Sequence, residues 1–163
     1  MAEIITFTNQ KGGVGKTSLA MNFGVRLKMV GARVLFVDMD PQGNLTYTMG
    51  IDHAEVTVYD LLLGRRTARE AILHAAECDI IASSPGLSTF NLTQAGTGKE
   101  YLLRNALQPV AADYDFIVID SPPTLGILTI NILTAANSVM IPALADVFSL
   151  QGIGQLYTTI QTV

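Results

Sequence analysis

The stretch Lys11 Gly12 Gly13 Val14 Gly15 Lys16 Thr17 decides the fold, because it lies between a β-branched apolar run (residues 4–8) and a segment of helical period (residues 17–29). Three glycines within four positions allow a tight turn whose backbone N–H groups face inward. The start of the following helix adds positive dipole, which favours bound anionic oxygens. The sequence therefore predicts a phosphate-binding loop between a strand and a helix.

The second half of this loop fits the pattern Gly-x-x-x-x-Gly-Lys-Ser/Thr, in which the lysine reaches the β and γ phosphates and the hydroxyl binds Mg²⁺. The first half does not fit, because Gln10 stands where the pattern has glycine and a second lysine follows it. We assign nucleotide binding to eight consecutive residues: Lys11, Gly12, Gly13, Val14, Gly15, Lys16, Thr17 and Ser18.

Length and composition indicate one domain, spanning residues 1–163. Hydrophobic residues make up 49% of the chain and charged residues 15%, which excludes a disordered protein. The formal net charge of −4 argues against nucleic-acid binding through bulk charge alone. Arg65, Arg66 and Arg69 form a local basic cluster, for which solvated helix ends and a contact with a partner or DNA are the alternatives.

Cys78 is the only cysteine, which excludes an intramolecular disulfide and a multi-cysteine metal site within one chain. We expect a cytoplasmic protein, because charged residues occupy the positions where the apolar core of a signal peptide would lie. Residues 121–145 carry no charge, but three prolines and two asparagines interrupt them. They predict a buried helix and strand, and no membrane association.

Apolar runs and helical periods alternate along the rest of the chain. The predicted strands are 4–8, 34–37, 79–82, 116–120 and 138–141, and the predicted helices are 17–29, 58–63, 68–75, 99–110, 125–136 and 150–160. This alternation predicts a doubly wound α/β fold, with a mostly parallel sheet and helices on both faces. Ligands of such sheets bind at the carboxyl ends of the strands.

Carboxylates follow two of these strands. Asp120 ends a buried strand, where an unpaired carboxylate costs free energy, so we assign it to Mg²⁺; a turn-capping role is the alternative. Asp38 ends the apolar strand, whereas Pro41 bends the chain at Asp40, so the two carboxylates should diverge and differ in function. We assign Asp38 to the water shell of the metal and Asp40 to polarising the attacking water, with a solvated turn residue as the alternative for Asp40. The predicted metal set is Thr17, Asp38 and Asp120.

These motifs together resemble the ParA/Soj family of chromosome- and plasmid-partition ATPases, a P-loop group with a deviant Walker A motif. The resemblance rests on the loop with Lys11, on Asp38 Met39 Asp40 Pro41 Gln42 Gly43 Asn44 and on Asp120 Ser121 Pro122 Pro123. It implies ATP and Mg²⁺ as ligands and a weak ATPase activity. It also implies that Lys11 reaches the nucleotide of a second subunit, so that Lys11, Lys16 and Asp40 form the catalytic set.

The resemblance further implies an ATP-dependent homodimer in which Gly12 lies between two nucleotides, a ParB-like centromere-binding partner, and nucleoid association through non-specific DNA binding. Family members continue beyond the point that matches Val163, so we expect this chain to lack their C-terminal third and to bind DNA weakly. Two alternatives stay open: a non-catalytic, nucleotide-dependent scaffold and a related small-molecule amide synthase.

Overall fold

The computed structural model describes residues 1–90, 98–145 and 147–162. Its strands are β1 (Glu3–Phe7), β2 (Val34–Asp38), β3 (Ile72–His74), β4 (Asp79–Ile81), β5 (Phe116–Asp120) and β6 (Ser138–Met140). Its helices are α1 (Lys16–Met29), α2 (Asn44–Thr48), α3 (Val58–Leu62), α4 (Ala68–Ala71), α5 (Leu102–Leu107), α6 (Ile127–Ala135) and α7 (Val147–Thr162). Short 3₁₀ turns cover Pro85–Thr89, Lys99–Tyr101 and Gln108–Val110.

The strands described form one sheet in the order β3-β4-β2-β5-β1-β6. All neighbours are parallel except β3 and β4. Strand β5 lies between β1 and β2, and its last residue, Asp120, is in register with Phe7 on one side and Asp38 on the other. The ends of the three central strands are therefore level, which confirms that their carboxyl ends meet at one edge.

Helices cover both faces of the sheet, as the apolar runs predict. On one face, α3, α5 and α6 pack over alternate residues of β2 and β5 such as Leu35 and Ile117. On the other, α1 and α2 pack over the intervening residues, including Phe36. Helix α1 lies very close to β2, because a Cβ added at Gly24 would be 2.3 Å from the Phe36 ring. This contact fixes the helix that follows the glycine-rich loop.

The prediction of one helix over residues 68–75 is wrong. The helix ends at Ala71, Ile72 adopts extended backbone angles, and β3 pairs antiparallel with β4. Ile72 and Leu73 lie opposite Ile81 and Ile80, so the hairpin supplies the hydrogen bonds that the outer side of β4 would otherwise lack. Pairing with the next strand along the chain outweighs the weak helical period of this short segment.

The other predicted elements are present with small changes at their ends. The segment 99–110 is helical throughout but changes from 3₁₀ to α and back, with Leu103 and Leu107 fully buried. The uncharged segment 121–145 contains α6 and β6. Within the described ranges, no helix combines the length and apolar character that crossing a membrane requires.

Candidate functional site

The glycine-rich loop connects β1 to α1 and depends on two glycines for its shape. Gly13 and Gly15 have φ angles of 73° and 85°, which side chains other than glycine adopt only with strain. Gly15 precedes the first helical residue, and its carbonyl accepts the N–H of Leu19. The side chain of Val14 is buried beneath the loop. The sequence prediction of a tight turn into a helix is confirmed.

Lys16 is the buried lysine of this loop and is 7% exposed. Its Nζ donates to the carbonyl oxygen of Lys11, 3.3 Å away. Burial lowers the pKa of Lys16, while the charges of Asp120 and Asp40 oppose that shift. A buried ammonium facing two carboxylates lies where a phosphate of a bound nucleotide would complete its interactions.

Asp120 lies next to the loop and is fully buried. Its Oδ2 accepts a hydrogen bond from the Thr17 hydroxyl at 2.6 Å, whereas its Oδ1 has no hydrogen-bond partner in the part of the chain that the structure describes. Burial raises the pKa of Asp120 to about 7, and the Thr17 hydrogen bond opposes this shift. A buried carboxylate oxygen without a partner, beside a hydroxyl, is a donor set that suits Mg²⁺.

Asp38 is equally buried but differently bound. Its Oδ2 accepts two hydrogen bonds from Thr46, one from the backbone N–H at 2.8 Å and one from the hydroxyl at 2.7 Å. Its Oδ1 accepts the N–H of Asp40 at 3.1 Å. Burial raises the pKa of Asp38, while the hydrogen bonds from Thr46 lower it. The predicted place of Asp38 in a metal water shell stays a prediction.

Asp40 follows β2 and faces a cavity of about 460 Å³. The residue is 8% exposed, and its Oδ1 accepts the N–H of Gln42 at 3.0 Å. The cavity joins the loop to the segment after β2 and to the turn after β5. Its lining residues are Gly12, Gly13, Gly15, Lys16, Thr17, Ser18, Asp40, Gln42, Asn44, Thr48 and Pro123.

The structure therefore brings most of the predicted site residues to one place. Lys11 and Val14 do not line the cavity; Lys11 is half-buried at the start of the loop. Asp38 and Asp120 do not line the cavity either; they are buried at the ends of adjacent strands. A larger depression of about 710 Å³, lined by residues such as Ala2 and Arg104, contains no residue of the glycine-rich loop.

Sequence reasoning missed a polar residue that shapes the loop. Asn9 is 1% exposed; its Nδ2 donates to the carbonyl of Pro142 at 2.7 Å and its Oδ1 accepts the N–H of Lys11 at 3.0 Å. Ser121 has a similar position after β5, where its hydroxyl donates to the carbonyl of Phe7 at 2.9 Å. A polar residue directly after an apolar strand is the one local signal that could have indicated them.

The other predicted features contribute little to this site. In the described ranges, no three His, Cys, Asp or Glu side chains form a group that could hold a metal ion, so a metal here would depend on Thr17, Asp120 and phosphate oxygens. In the basic cluster, Arg66 pairs with Glu70 at 3.2 Å and Arg69 with Asp113 at 2.8 Å. Two of its three arginines are thus already paired, which favours solvated helix ends.

The sequence matches the family described as an AAA domain over residues 2–163. The chain belongs to this family. A curated relative, the sporulation initiation inhibitor protein Soj of Bacillus subtilis (strain 168), is 43% identical over 168 residues. The match covers 100% of this chain and 66% of Soj. The predicted resemblance to the ParA/Soj group of this family is confirmed.

Solved structures of other proteins share the fold of this chain. Cobyrinic acid a,c-diamide synthase from Mycobacterium smegmatis, with bound ADP and magnesium, matches with a TM-score of 0.92 and 38% identity over 100% of this chain and 68% of that chain. A plasmid partition protein from Borrelia burgdorferi matches with a TM-score of 0.91 and 27% identity over 99% of this chain and 74% of that chain. The predicted P-loop α/β fold is confirmed.

Proposed function

We propose that the chain is a Mg²⁺-dependent ATP-binding and ATP-hydrolysing switch of the partition type. The observation that carries this proposal is the buried Asp120 carboxylate, with one oxygen on the Thr17 hydroxyl and the other without a partner among the residues described. Its position beside a buried lysine and a phosphate-binding loop suits a metal–nucleotide pair. The family match and the nucleotide-bound synthase structure support the same ligands.

The chain supplies the groups that phosphoryl transfer requires. Backbone N–H groups of residues 12–17 and the ammonium of Lys16 hold the phosphates. The Thr17 hydroxyl and Asp120 would hold Mg²⁺, which would neutralise phosphate charge. Asp40, at the cavity wall, accepts a hydrogen bond from the attacking water and orients it toward the γ-phosphorus. As the water oxygen bonds to the γ-phosphorus, the bond from phosphorus to the bridging oxygen breaks and ADP leaves with that oxygen; one proton of the water stays on the inorganic phosphate and the other passes to solvent.

Dimerisation is the second part of the proposal. Gly12 lines the cavity, and a Cβ added there would find no described atom within 4 Å. The space next to Gly12 is therefore not filled by any described residue of the same chain. We propose that a second subunit occupies this room in the ATP-bound state and that Lys11 reaches the partner's nucleotide. A ParB-like protein and non-specific DNA are the proposed partners of the assembled state.

Replacement of the loop lysine tests the proposal. Lys16→Ala removes the buried ammonium that faces the phosphates, so we expect ATP binding in titration calorimetry to be lost. Lys28→Ala is the control, because Lys28 lies on the same helix and is exposed. Unchanged ATP affinity in Lys16→Ala would show that the loop is not a phosphate site. Binding without phosphate release above background, with partner protein and DNA present, would instead favour the scaffold function.

A small-molecule amide synthase is the second candidate. It is favoured by the 38% identity to the Mycobacterium smegmatis synthase, over the whole of this chain. The two functions differ in what stimulates phosphate release. A partition switch responds to DNA and its partner protein, whereas an amide synthase responds to a carboxylic acid and a nitrogen donor. Assays of phosphate release with each pair of stimulants separate them.

A further inference from the structure

Thr46 connects the segment 40–46 to the sheet through hydrogen bonds that have no assigned part in the proposed function. It donates both its backbone N–H and its hydroxyl to Asp38 Oδ2. The hydroxyl oxygen also accepts the backbone N–H of Ser83, at 3.0 Å. Because Ser83 lies just after β4, the Thr46 side chain joins the ends of β2 and β4 to the first turn of α2.

Ser83 provides a second attachment, at Asp40 itself. The Ser83 hydroxyl donates to the Asp40 carbonyl, and the Asp40 N–H donates to Asp38 Oδ1. Both backbone groups of Asp40 are therefore held by residues of the sheet edge. The Asp40 carboxylate therefore extends toward the cavity from a backbone that is held at both its N–H and its carbonyl.

We infer that Thr46 and Ser83 are positioning residues for Asp40, the first acting through the Asp38 carboxylate and the second through the Asp40 backbone. The inference rests on the proposed function, because it takes Asp40 as the group that orients the attacking water. In this arrangement Asp38 anchors the segment 40–46. Three protein hydrogen bonds to its two oxygens suit an anchor better than a contact to metal-bound water.

This network affects turnover more than binding. The phosphates are held by the glycine-rich loop, which Thr46 and Ser83 do not contact through any hydrogen bond found in the described ranges. The attacking water depends on Asp40, and a displacement of about 1 Å in such a group can reduce a rate by a factor of about 100. Loosening the segment 40–46 should lower kcat while ATP affinity is kept.

The experiment compares Thr46→Val with Thr46→Ser. Valine keeps the branched shape but loses the hydroxyl, so Asp38 loses one donor and the Ser83 N–H loses its acceptor. Serine keeps the hydroxyl and should restore the network. Thr89→Val is the control, because the exposed Thr89 hydroxyl bonds only to the Gly86 carbonyl of its own turn in the described structure. Each variant is measured for ATP affinity, for kcat of phosphate release and for amide hydrogen exchange over residues 38–46.

We expect Thr46→Val to lower kcat about tenfold or more with ATP affinity retained and with faster exchange of the Asp40 and Thr46 amides. Thr46→Ser and Thr89→Val should behave as the parent. Parent-like kcat and exchange in Thr46→Val would overturn the inference, as would failure of serine to restore them. If the parent neither binds nor hydrolyses ATP, the proposed function fails, and exchange alone then decides whether Thr46 fastens the segment.

Discussion

Charged side chains differ between the two ends of the strands. The carboxyl ends are called the carboxyl edge of the sheet, and the amino ends are called the amino edge. At the carboxyl edge, Lys16, Asp38 and Asp120 are buried. Burial lowers the pKa of Lys16 and raises that of Asp120 to about 7, so each group is shifted toward its neutral form. One oxygen of Asp120 finds no partner in the residues described. Burial at this edge therefore disfavours the charged forms of Lys16 and Asp120.

At the amino edge, the ion pair of Arg33 and Asp115 is exposed and its two charges are matched. Arg33, just before β2, donates Nη2 and Nε to Asp115 at 2.8 and 3.2 Å, and Asp115 also accepts the Arg33 N–H at 2.9 Å. These hydrogen bonds lower the pKa of Asp115 to about 2. The ion pair of Arg69 and Asp113 lies nearby, also in solvent. Hydrogen bonds at this edge therefore favour the charged form of Asp115.

This difference in burial and pairing distinguishes residues that serve ligand binding from residues that serve folding. Burying a charge without a matched partner lowers the free energy of unfolding, so such a group indicates a ligand that is missing from the free protein. An exposed and matched pair stabilises slightly and indicates nothing further. Changes at the carboxyl edge should therefore alter function with little loss of stability, and changes at the amino edge should do the reverse.

The largest expected effect is at Gly12. Gly12→Val should eliminate Mg²⁺-ATP-dependent dimerisation, because the added side chain occupies the room proposed for a second subunit. Its thermal midpoint should equal that of the parent, since a Cβ at Gly12 would meet no described atom within 4 Å and the φ angle there is not positive. Light scattering coupled to gel filtration, with and without Mg²⁺-ATP, measures the dimer.

The control for this prediction is Gly154→Val. Gly154 is exposed, and a Cβ built there also meets nothing within 4 Å in the described structure, but it lies on α7 away from the cavity lining. A dimer that forms normally in Gly12→Val would remove Gly12 from the interface. A fall in the thermal midpoint of Gly12→Val alone would show instead that the loop needs glycine for folding.

The next effect in size concerns Asp120 in the absence of metal and nucleotide. The folded pKa of about 7 exceeds an unfolded value of about 3.9, so the folded state binds the proton more tightly. Its contribution to stability is complete below about pH 4 and is lost as the pH rises through about 7. Asp120→Asn, which stays uncharged, should be more stable than the parent above pH 7, by roughly 2–4 kcal/mol.

Urea unfolding in chelator at acidic and neutral pH measures this difference, and the variant should show a smaller dependence of its unfolding free energy on pH. The same variant should lose most of the stabilisation that Mg²⁺-ATP gives the parent. A variant that is less stable than the parent at neutral pH would mean that the Asp120 carboxylate is matched after all, and the contrast between the edges would fail.

The carboxyl edge could be predicted from sequence because its signals are local. Glycines in a turn between a strand and a helix place Lys16 after β1, and carboxylates that end apolar runs place Asp38 and Asp120 at strand ends, without any knowledge of packing. The order of residues along parallel strands then brings these ends to one edge. The fold class follows from the same alternation, and among the residues described only β3 was assigned to the wrong element.

The partners of each carboxylate could not be predicted, because they depend on contacts between distant segments. Asp38 and Asp120 both follow apolar strands, yet one receives three protein hydrogen bonds and the other keeps an oxygen without a described partner. Thr46 and Ser83 are 37 positions apart and belong to no motif. Their connection appears only when β2 and β4 are placed side by side.

The smallest expected effect is at Asp115. Its folded pKa of about 2 lies below an unfolded value of about 3.9, so its contribution to stability is present above about pH 4 and is lost as the pH falls toward 2. Asp115→Asn should lower the unfolding midpoint at neutral pH by less than Asp120→Asn raises it, because both members of the ion pair are in solvent. Arg33→Gln and the double variant complete a double-mutant cycle that isolates the interaction of the pair, and added salt should reduce its coupling free energy.

ATP affinity should be the same in all three variants, because Arg33 and Asp115 lie at the opposite edge from the glycine-rich loop. A loss of ATP binding with unchanged stability would mean that the amino edge also serves a ligand, which the matched and exposed charges there argue against.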